Sequence, residues 1–390
     1  MRVLCLQENL AKGLSVVNRA ISSRTTLPIL QNVLLRAEAP ASLKLSATNL
    51  DIAINCWVAA QVEEEGATTV PARLVTDFVN TLPAGERLRM ELNVRTQTLH
   101  VECDRTEANF RVIDASDFPV IPTGDGESTL TLPPATLRHM IQQVAFAAST
   151  DESRPTLTGV YVTTDEQRLV FVATDGYRLA YRATPVDNVP SDLAVIVPAR
   201  SLNELARIAA DADEEGDATV TVTEDRNQVV FRIPGKGTHD SRGAFQRAEI
   251  VSQLIDATYP NYKAIIPGKW DTRVVLNTQE FKQSIQRAYL FARESSNIVK
   301  LSVVPGDPGA LHVHASSSDY GDHHAVLDAI VEGPELEIAF NGRYLLDVLQ
   351  VLDSPQMVLE MTKPSRPGVI RPVGAGEDEF LYVLMPMNLR

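Results

Sequence analysis

The sequence predicts an α+β fold of three repeated units, each combining amphipathic helices with antiparallel sheet, and three sets of matching segments carry that prediction. In the first set an apolar-periodic helix runs into a β-rich stretch, from Leu10 to Leu35, from Leu137 to Val162 and from Phe281 to Val303. In the second a strand turns directly into a helix: Val70-Pro71-Ala72-Arg73-Leu74, Val197-Pro198-Ala199-Arg200-Ser201-Leu202 and Phe340-Asn341-Gly342-Arg343-Tyr344-Leu345. Leu10 and Leu137 lie 127 residues apart, and Leu137 and Phe281 lie 144 apart. Arg73 and Arg200 are again 127 apart, and Arg200 and Arg343 are 143 apart. The third set, Ala47-Thr48-Asn49-Leu50-Asp51 and Ala173-Thr174-Asp175-Gly176-Tyr177, is offset by 126 and keeps the register. A chain built from copies of one unit works through overall shape rather than through a single buried pocket.

The elements follow in order. In the first helix Leu10, Leu14, Val17 and Ile21 form an apolar stripe, with Lys12 and Arg19 seven residues apart on the far face. Leu43 to Ala47 and Val101 to Phe110 have strand character. The second unit repeats the pattern with the helix from Leu137, the strands Leu169 to Ala173 and Val229 to Ile233, and a helix whose Arg200 and Arg207 oppose Leu202, Leu205 and Ala209. Between Gly235 and Arg247 the chain reads as a surface insertion. In the third unit Lys282, Gln286 and Arg293 share a face away from Phe281, Ile285 and Ala288. Two helices with antiparallel strands per unit make six similar half-units. Polar, Gly-containing joints at Asp125 to Ser128 and Pro267 to Asp271 divide the chain into units 1–126, 127–269 and 270–390.

Composition narrows the function. The net charge of −14 argues against a polyanion partner unless the positive minority is gathered on one surface. A charged face is what any amphipathic helix needs, and a basic lining that attracts phosphates without reading bases is the other reading of the repeated cations. Cys5, Cys56 and Cys103 are widely spaced in strand-like contexts and read as buried thiols of a reducing compartment. With no signal-peptide pattern and no apolar run near the roughly 20 residues that span a bilayer, the expected location is soluble and cytoplasmic, with no membrane partner.

Catalytic chemistry finds little support. Gly235-Lys236-Gly237-Thr238 lacks the spacing of a nucleotide-binding loop, and no nucleophile elbow is present. His312 and His314, with Asp319, Asp322, His323 and His324 nearby, offer a metal-binding alternative, because residues at i and i+2 share one side of a strand. No third ligand is set by local structure. We therefore expect no enzyme, no cofactor and no resident metal.

Four segments spanning the whole chain carry a resemblance: Arg24-Thr25-Thr26-Leu27-Pro28-Ile29-Leu30, Ala173 to Ala180, Phe340 to Leu349 and the terminal Tyr382 to Leu389. Together they resemble the bacterial DNA polymerase sliding clamps, the β subunits of the replicative polymerase. The resemblance implies the DNA clamp fold and a head-to-tail homodimer closed into a ring around double-stranded DNA. It implies a non-catalytic processivity role, sliding without sequence preference, and dependence on a separate ATP-driven clamp loader. Arg24 and Arg154 match DNA-contact positions of the family, and Phe110, Leu290 and Phe291 its subunit contact.

The resemblance also implies a hydrophobic cleft between the second and third units for the short linear motifs of the polymerase catalytic subunit, the loader and repair proteins. Its wall would comprise Leu157, Thr174, Gly176, Arg178, Leu179, Pro260, Ile265, Asn341, Tyr344, Val383, Met385, Pro386, Met387 and Leu389. Unbranched, polarizable Met385 and Met387 suit several partners. Without the resemblance, Tyr382 to Leu389 reads equally as a final core strand, against which Pro386 speaks. Asn388, Ala264 and Ser296 depart from the family's usual pattern and bear on the cleft's polar rim, not its apolar floor. A peptide-binding scaffold that never meets DNA is the rival function, and charge reversal at Lys12, Arg19 and Arg24 separates the two.

Overall fold

One strand, one helix and three further strands recur six times along the chain. The computed structural model describes residues 1–22, 25–122, 128–187, 193–223, 227–238, 241–374 and 379–388. The first repeat begins with β1 (Arg2–Leu6), α1 (Gln7–Val17), β2 (Asn32–Glu38), β3 (Ser42–Thr48) and β4 (Ile52–Glu64). Its second half is β5 (Gly66–Pro71), α2 (Ala72–Thr81), β6 (Arg87–Asn93), β7 (Thr98–Cys103) and β8 (Thr106–Arg111). The second repeat comprises β9 (Ser128–Leu132), α3 (Pro134–Val144), β10 (Gly159–Asp165), β11 (Arg168–Thr174) and β12 (Arg178–Pro185), followed by β13 (Ala194–Pro198), α4 (Ala199–Ala209), β14 (Ala218–Val222), β15 (Gln228–Pro234) and β16 (Arg247–Gln253). The third comprises β17 (Thr272–Asn277), α5 (Thr278–Ala292), β18 (Ile298–Val304), β19 (Gly309–Ser317) and β20 (Gly321–Glu332), then β21 (Leu336–Asn341), α6 (Gly342–Val351), β22 (Gln356–Met361), β23 (Gly368–Pro372) and β24 (Phe380–Leu384).

These elements pack as two compact units whose division runs through the second repeat. In the first unit the sheet order is β8-β7-β6-β1-β4-β16-β15-β14-β9, with β3, β2 and β5 branching from β4. Leu10, Leu14 and Val17 are buried as their spacing predicts, and α1 lies so close to the sheet that a Cβ on Gly13 would stand 2.9 Å from Leu45. The predicted stripe ends early, because α1 stops at Val17 and a 3₁₀ turn covers Asn18–Ala20. Arg19 and Ile21 therefore lie beyond the α-helix, and the seven-residue spacing of Lys12 and Arg19 does not define one α-helical face.

The strand-to-helix motif has a packing reason. Ala72, Ala199 and Gly342 occupy the same buried place, and a Cβ on Gly342 would approach Val299 to 2.8 Å. The third motif is one hydrogen-bonded turn used twice. Thr48 Oγ1 donates to Ile52 O and accepts from the Leu50 N–H, while Asn49 Oδ1 accepts from Asp51 and Ile52. Thr174 and Asp175 make the same four bonds around Gly176 and Arg178. The central residue takes a left-handed conformation, φ +94° at Gly176 and +79° at Leu50. Only glycine adopts it without steric cost, and Leu50 is 52% exposed. Leu50→Gly should therefore stabilise the chain by about 1 kcal/mol, read as a higher urea midpoint; a lower midpoint would show that the leucine side chain outweighs the backbone strain.

The described residues between Gly235 and Arg247 lie at the surface except for one anchor: Phe245 is buried, the Gly235 and Gly237 N–H groups donate back to Gln246 O and Phe245 O, and Gln246 donates to Trp57 O on β4. His239 and Asp240 lie outside the described residues, as does the 125–127 part of the first predicted joint. The three cysteines are buried free thiols, and burial alone pushes Cys5 up to about 12.

Candidate functional site

The second unit carries the sheet β13-β10-β11-β12-β24-β23-β22-β17-β20-β19-β18-β21. Its β12 and β24 join the second and third repeats, with Arg178 opposite Leu384 and Leu179 opposite Val383. Beyond Leu384 the chain leaves the ladder. Met385 donates its N–H to Tyr177 O at 2.9 Å and Met387 to Ala339 O at 2.8 Å, so the tail bridges the 174–178 turn and β21. Both readings of Tyr382 to Leu389 thus hold in part. Residues through Leu384 are core strand, whereas Met385 is 41% exposed and Pro386 and Met387 are half-buried. Leu389 lies outside the described residues.

Arg178 anchors the turn from beneath. Its guanidinium donates to Asp175 Oδ2 and Phe146 O, at 3.0 and 2.9 Å, and to Asp347 on α6. It also lies 4.2 Å from the Tyr344 ring centroid, close enough for a cation–π contact. Burial opposes its charge, but the Tyr382 hydroxyl and the Asp347 carboxylate outweigh burial and hold the pKa above its ordinary value. The buried Tyr382 hydroxyl donates to Tyr344 O, and Asn341 caps α6 by accepting the Arg343 N–H. This ties α6 to β12 and to the strand that feeds the tail.

The predicted wall divides into surface and support. Gly176, Pro260, Ile265 and Met385 are exposed, and Leu157, Arg178, Asn341, Tyr344, Pro386 and Met387 are partly so. Thr174, Leu179 and Val383 are buried: Leu179 and Val383 belong to the core cluster under the site, and Thr174 holds the turn. A strand's alternation shows which residues share a face, not which face another segment covers. Here the covering segment contains Tyr259, Tyr262 and Ile266, packed on Val170, Val172, Leu179 and Tyr181.

Tyr161, Tyr259, Tyr262 and Asp347 are site-supporting residues that sequence reasoning missed. Tyr161 stacks on Tyr259 at 5.0 Å, and Tyr262 lies 6.2 Å from both Tyr161 and Tyr181. Spaced tyrosines on separate elements give no local signal. Burial pushes Tyr262 up to about 12 and raises Tyr181 and Tyr259 as well. The unfolded chain loses these protons near pH 10 while the folded chain keeps them, so stability is intact below pH 10 and falls between pH 10 and 12. Urea midpoints should decline across that window; a flat profile would mean that the tyrosines titrate normally.

The basic candidates are less free than their spacing suggests. Lys12 pairs with Asp211 at 2.6 Å, Arg19 and Arg207 both pair with Glu204, Arg154 pairs with Asp151 and Arg293 with Glu294. The partners of Lys12 and Arg19 come from segments distant in sequence, which helical spacing cannot reveal, whereas those of Arg207, Arg154 and Arg293 stand within three residues. Arg200 is exposed and Lys282 partly so, and Arg24 lies outside the described residues. Arg73 and Arg343, exposed at the place Arg200 holds in α4, were findable from the repeat itself.

Of the subunit-contact candidates, Leu290 is 55% exposed and Phe291 packs near the His323 ring, at 6.1 Å. Phe110 is only 4% exposed and sits edge-on to Phe78, so its side chain belongs to the chain's own core. His312 and His324 form a hydrogen-bonded pair at 3.0 Å, and among the described residues no three His, Cys, Asp or Glu side chains come together as a ligand set. No helix of the described residues is long and apolar enough to cross a membrane.

The geometry amounts to a tail with two methionines beside an arginine-anchored turn, on a scaffold built from six like half-units. Family models for the DNA polymerase III beta subunit match in sequence: the N-terminal domain over residues 1–122, the central domain over 131–261 and the C-terminal domain over 263–388. The beta sliding clamp of Synechocystis is 33% identical and that of Bacillus subtilis 31%, each over 100% of both chains. The crystal structure of the B. subtilis sliding clamp superposes with a TM-score of 0.89 at 29% identity, covering 100% of both chains. A C. crescentus clamp, solved with polyethylene glycol at a region proposed to tether the β-motif, gives 0.88 at 30% identity, covering 100% of this chain and 99% of that one. The chain belongs to the DNA polymerase III beta subunit family, the β sliding clamps.

Proposed function

We propose that two copies of this chain close head to tail into a ring around double-stranded DNA, slide on it without sequence preference and tether partner proteins through the 174–178 and 385–388 surface. One observation carries the ring. The last strand of a repeat's first half pairs with the last strand of the next repeat's second half, β4 with β16 and β12 with β24. The remaining members of that series are β20 and β8. Along Gly321 to Ala329, β20 has β19 on one side and no strand on the other among the described residues, and β8 has only β7. An unpaired edge invites another chain, and joining β20 of one copy to β8 of the next, twice, completes the series begun by β4 with β16 and β12 with β24 and closes a ring.

Domain boundaries near 126/127 and 269/270 fit this scheme. Lys12, Arg19, Arg24, Arg154, Arg200, Arg207, Lys282 and Arg293 are the proposed phosphate contacts, with Arg200 and Lys282 the least compromised by internal ion pairs. Partners would be the polymerase catalytic subunit, an ATP-driven loader and other proteins bearing a short linear motif, and the working location the cytoplasm. Small-angle X-ray scattering tests the reading: a mass near twice 42.7 kDa with a hollow profile is expected, whereas a compact monomer at micromolar concentration would refute the ring.

A further inference from the structure

The sheet face beneath Tyr259 to Ile266 changes character at β23. Val369 opposes Val383 on one side and Glu360 on the other, and Glu360 opposes Arg273. On the Val383 side the face is apolar core; on the Glu360 side it is ionic, with Arg371 Nε 3.3 Å and Arg273 Nε 3.7 Å from the two Glu360 oxygens. The covering segment continues as Pro267 to Trp270 and, with the ionic half, encloses a cavity of about 280 Å³. Val369 lines this cavity and also belongs to the core under the binding surface, and Ile265 of that surface stands two residues before Pro267 of the cavity lining.

Three features of the lining specify a ligand. Trp270 is 40% exposed, although a tryptophan ordinarily buries most of its surface, and the other tryptophan, Trp57, is 5% exposed. Lys269 has no carboxylate partner among the described residues. The charged lining residues are Lys269 and Arg371 against Glu360, which Arg371 already pairs, so the unbalanced charge at the cavity is positive in a chain of net charge −14. A carboxylate on a short apolar stem matches this arrangement, its oxygens on the ammonium and its stem across the indole.

We propose that this cavity extends the peptide groove and receives an acidic residue flanking the apolar motif of a docked partner, with Lys269 as its cation and Trp270 as its platform. The inference rests on the groove reading given above. Acidic flanks would then distinguish partners that share one apolar core, because the apolar floor cannot read charge.

The test uses the intact protein and a fluorescein-labelled peptide of the polymerase catalytic subunit's short linear motif, plain or extended at either end by three glutamates or three lysines. Glutamates at one end should tighten binding about three- to fivefold, the scale of a partly exposed ion pair. The gain should vanish in Lys269→Ala and at high salt, and only the acidic peptide should shift the Trp270 emission. Trp270→Phe removes that signal, and both exposed substitutions leave the core intact. Equal affinity of plain and acidic peptides, a gain that survives Lys269→Ala, or equal gain from lysines would each overturn the inference, as would free glutamate competing as well as the extended peptide. Failure of the plain peptide to bind wild type and Lys269→Ala alike would instead remove the groove reading and this inference with it.

Discussion

Arg178→Met is expected to destabilise the second unit by about 3–5 kcal/mol, the cost of leaving buried charges uncompensated. The Arg178 side chain is 9% exposed, and its partners Asp175 and Asp347 are 11% and 26% exposed. Methionine fills the volume but takes the cation from Asp347 and from Asp175, which keeps only its backbone N–H donors, and from the Phe146 carbonyl and the Tyr344 ring face. The exposed pair Arg73–Asp77, at 96% and 71%, is worth less than about 1 kcal/mol by comparison. Urea unfolding of the variant measures the loss, and pairing it with Asp347→Asn should recover part, since one stranded charge is then removed. Because Arg178 follows the turn that receives the Met385 N–H, peptide affinity should fall in parallel. A loss below about 1 kcal/mol would mean that water replaces the arginine and that the site is not built on it.

Leu290→Lys should raise the dissociation constant of the proposed dimer by about 30-fold or more, corresponding to a lost contact of about 2 kcal/mol or above. Leu290 is exposed on α5, beside Phe291, which lies against His323 of the unpaired β20 edge. An apolar side chain beside an open strand edge gains only if another surface covers it, and lysine there would bury an unpaired ammonium. The single chain should keep its stability to within about 0.5 kcal/mol, because the replaced group faces water. Light scattering over a dilution series gives the dissociation constant, and urea unfolding supplies the control. An unchanged dimer would shift the subunit contact away from α5 and leave the β8 and β20 edges to carry it through backbone bonds alone.

Much of the fold was legible because it is written locally and three times over. Offsets between landmarks located the units, helical spacing placed Leu10, Leu14 and Val17 inward, and Pro71-Ala72 and Asn341-Gly342 marked sharp strand-to-helix corners. The Thr48 and Thr174 turns were visible as matching strings before their shared hydrogen bonds were known. The tail was legible as a surface element only through the resemblance, since Pro386 alone left a final core strand open.

What escaped lies between elements distant in sequence. Asp211 and Glu204 neutralise Lys12 and Arg19 from 199 and 185 positions away, so spacing along one helix overstated the free positive charge. The segment holding Tyr262 joins Leu179 and Val383 in one buried cluster, which alternation along either strand cannot express. Phe245 similarly anchors a surface excursion in the core. The sequence by itself determined the repeat, the six half-units, the family and which side chains each element offers, because these depend on local periodicity and short-range hydrogen bonding. Only the tertiary structure decided which offered groups stay free, because burial and ion pairing are set by whichever surface packs opposite.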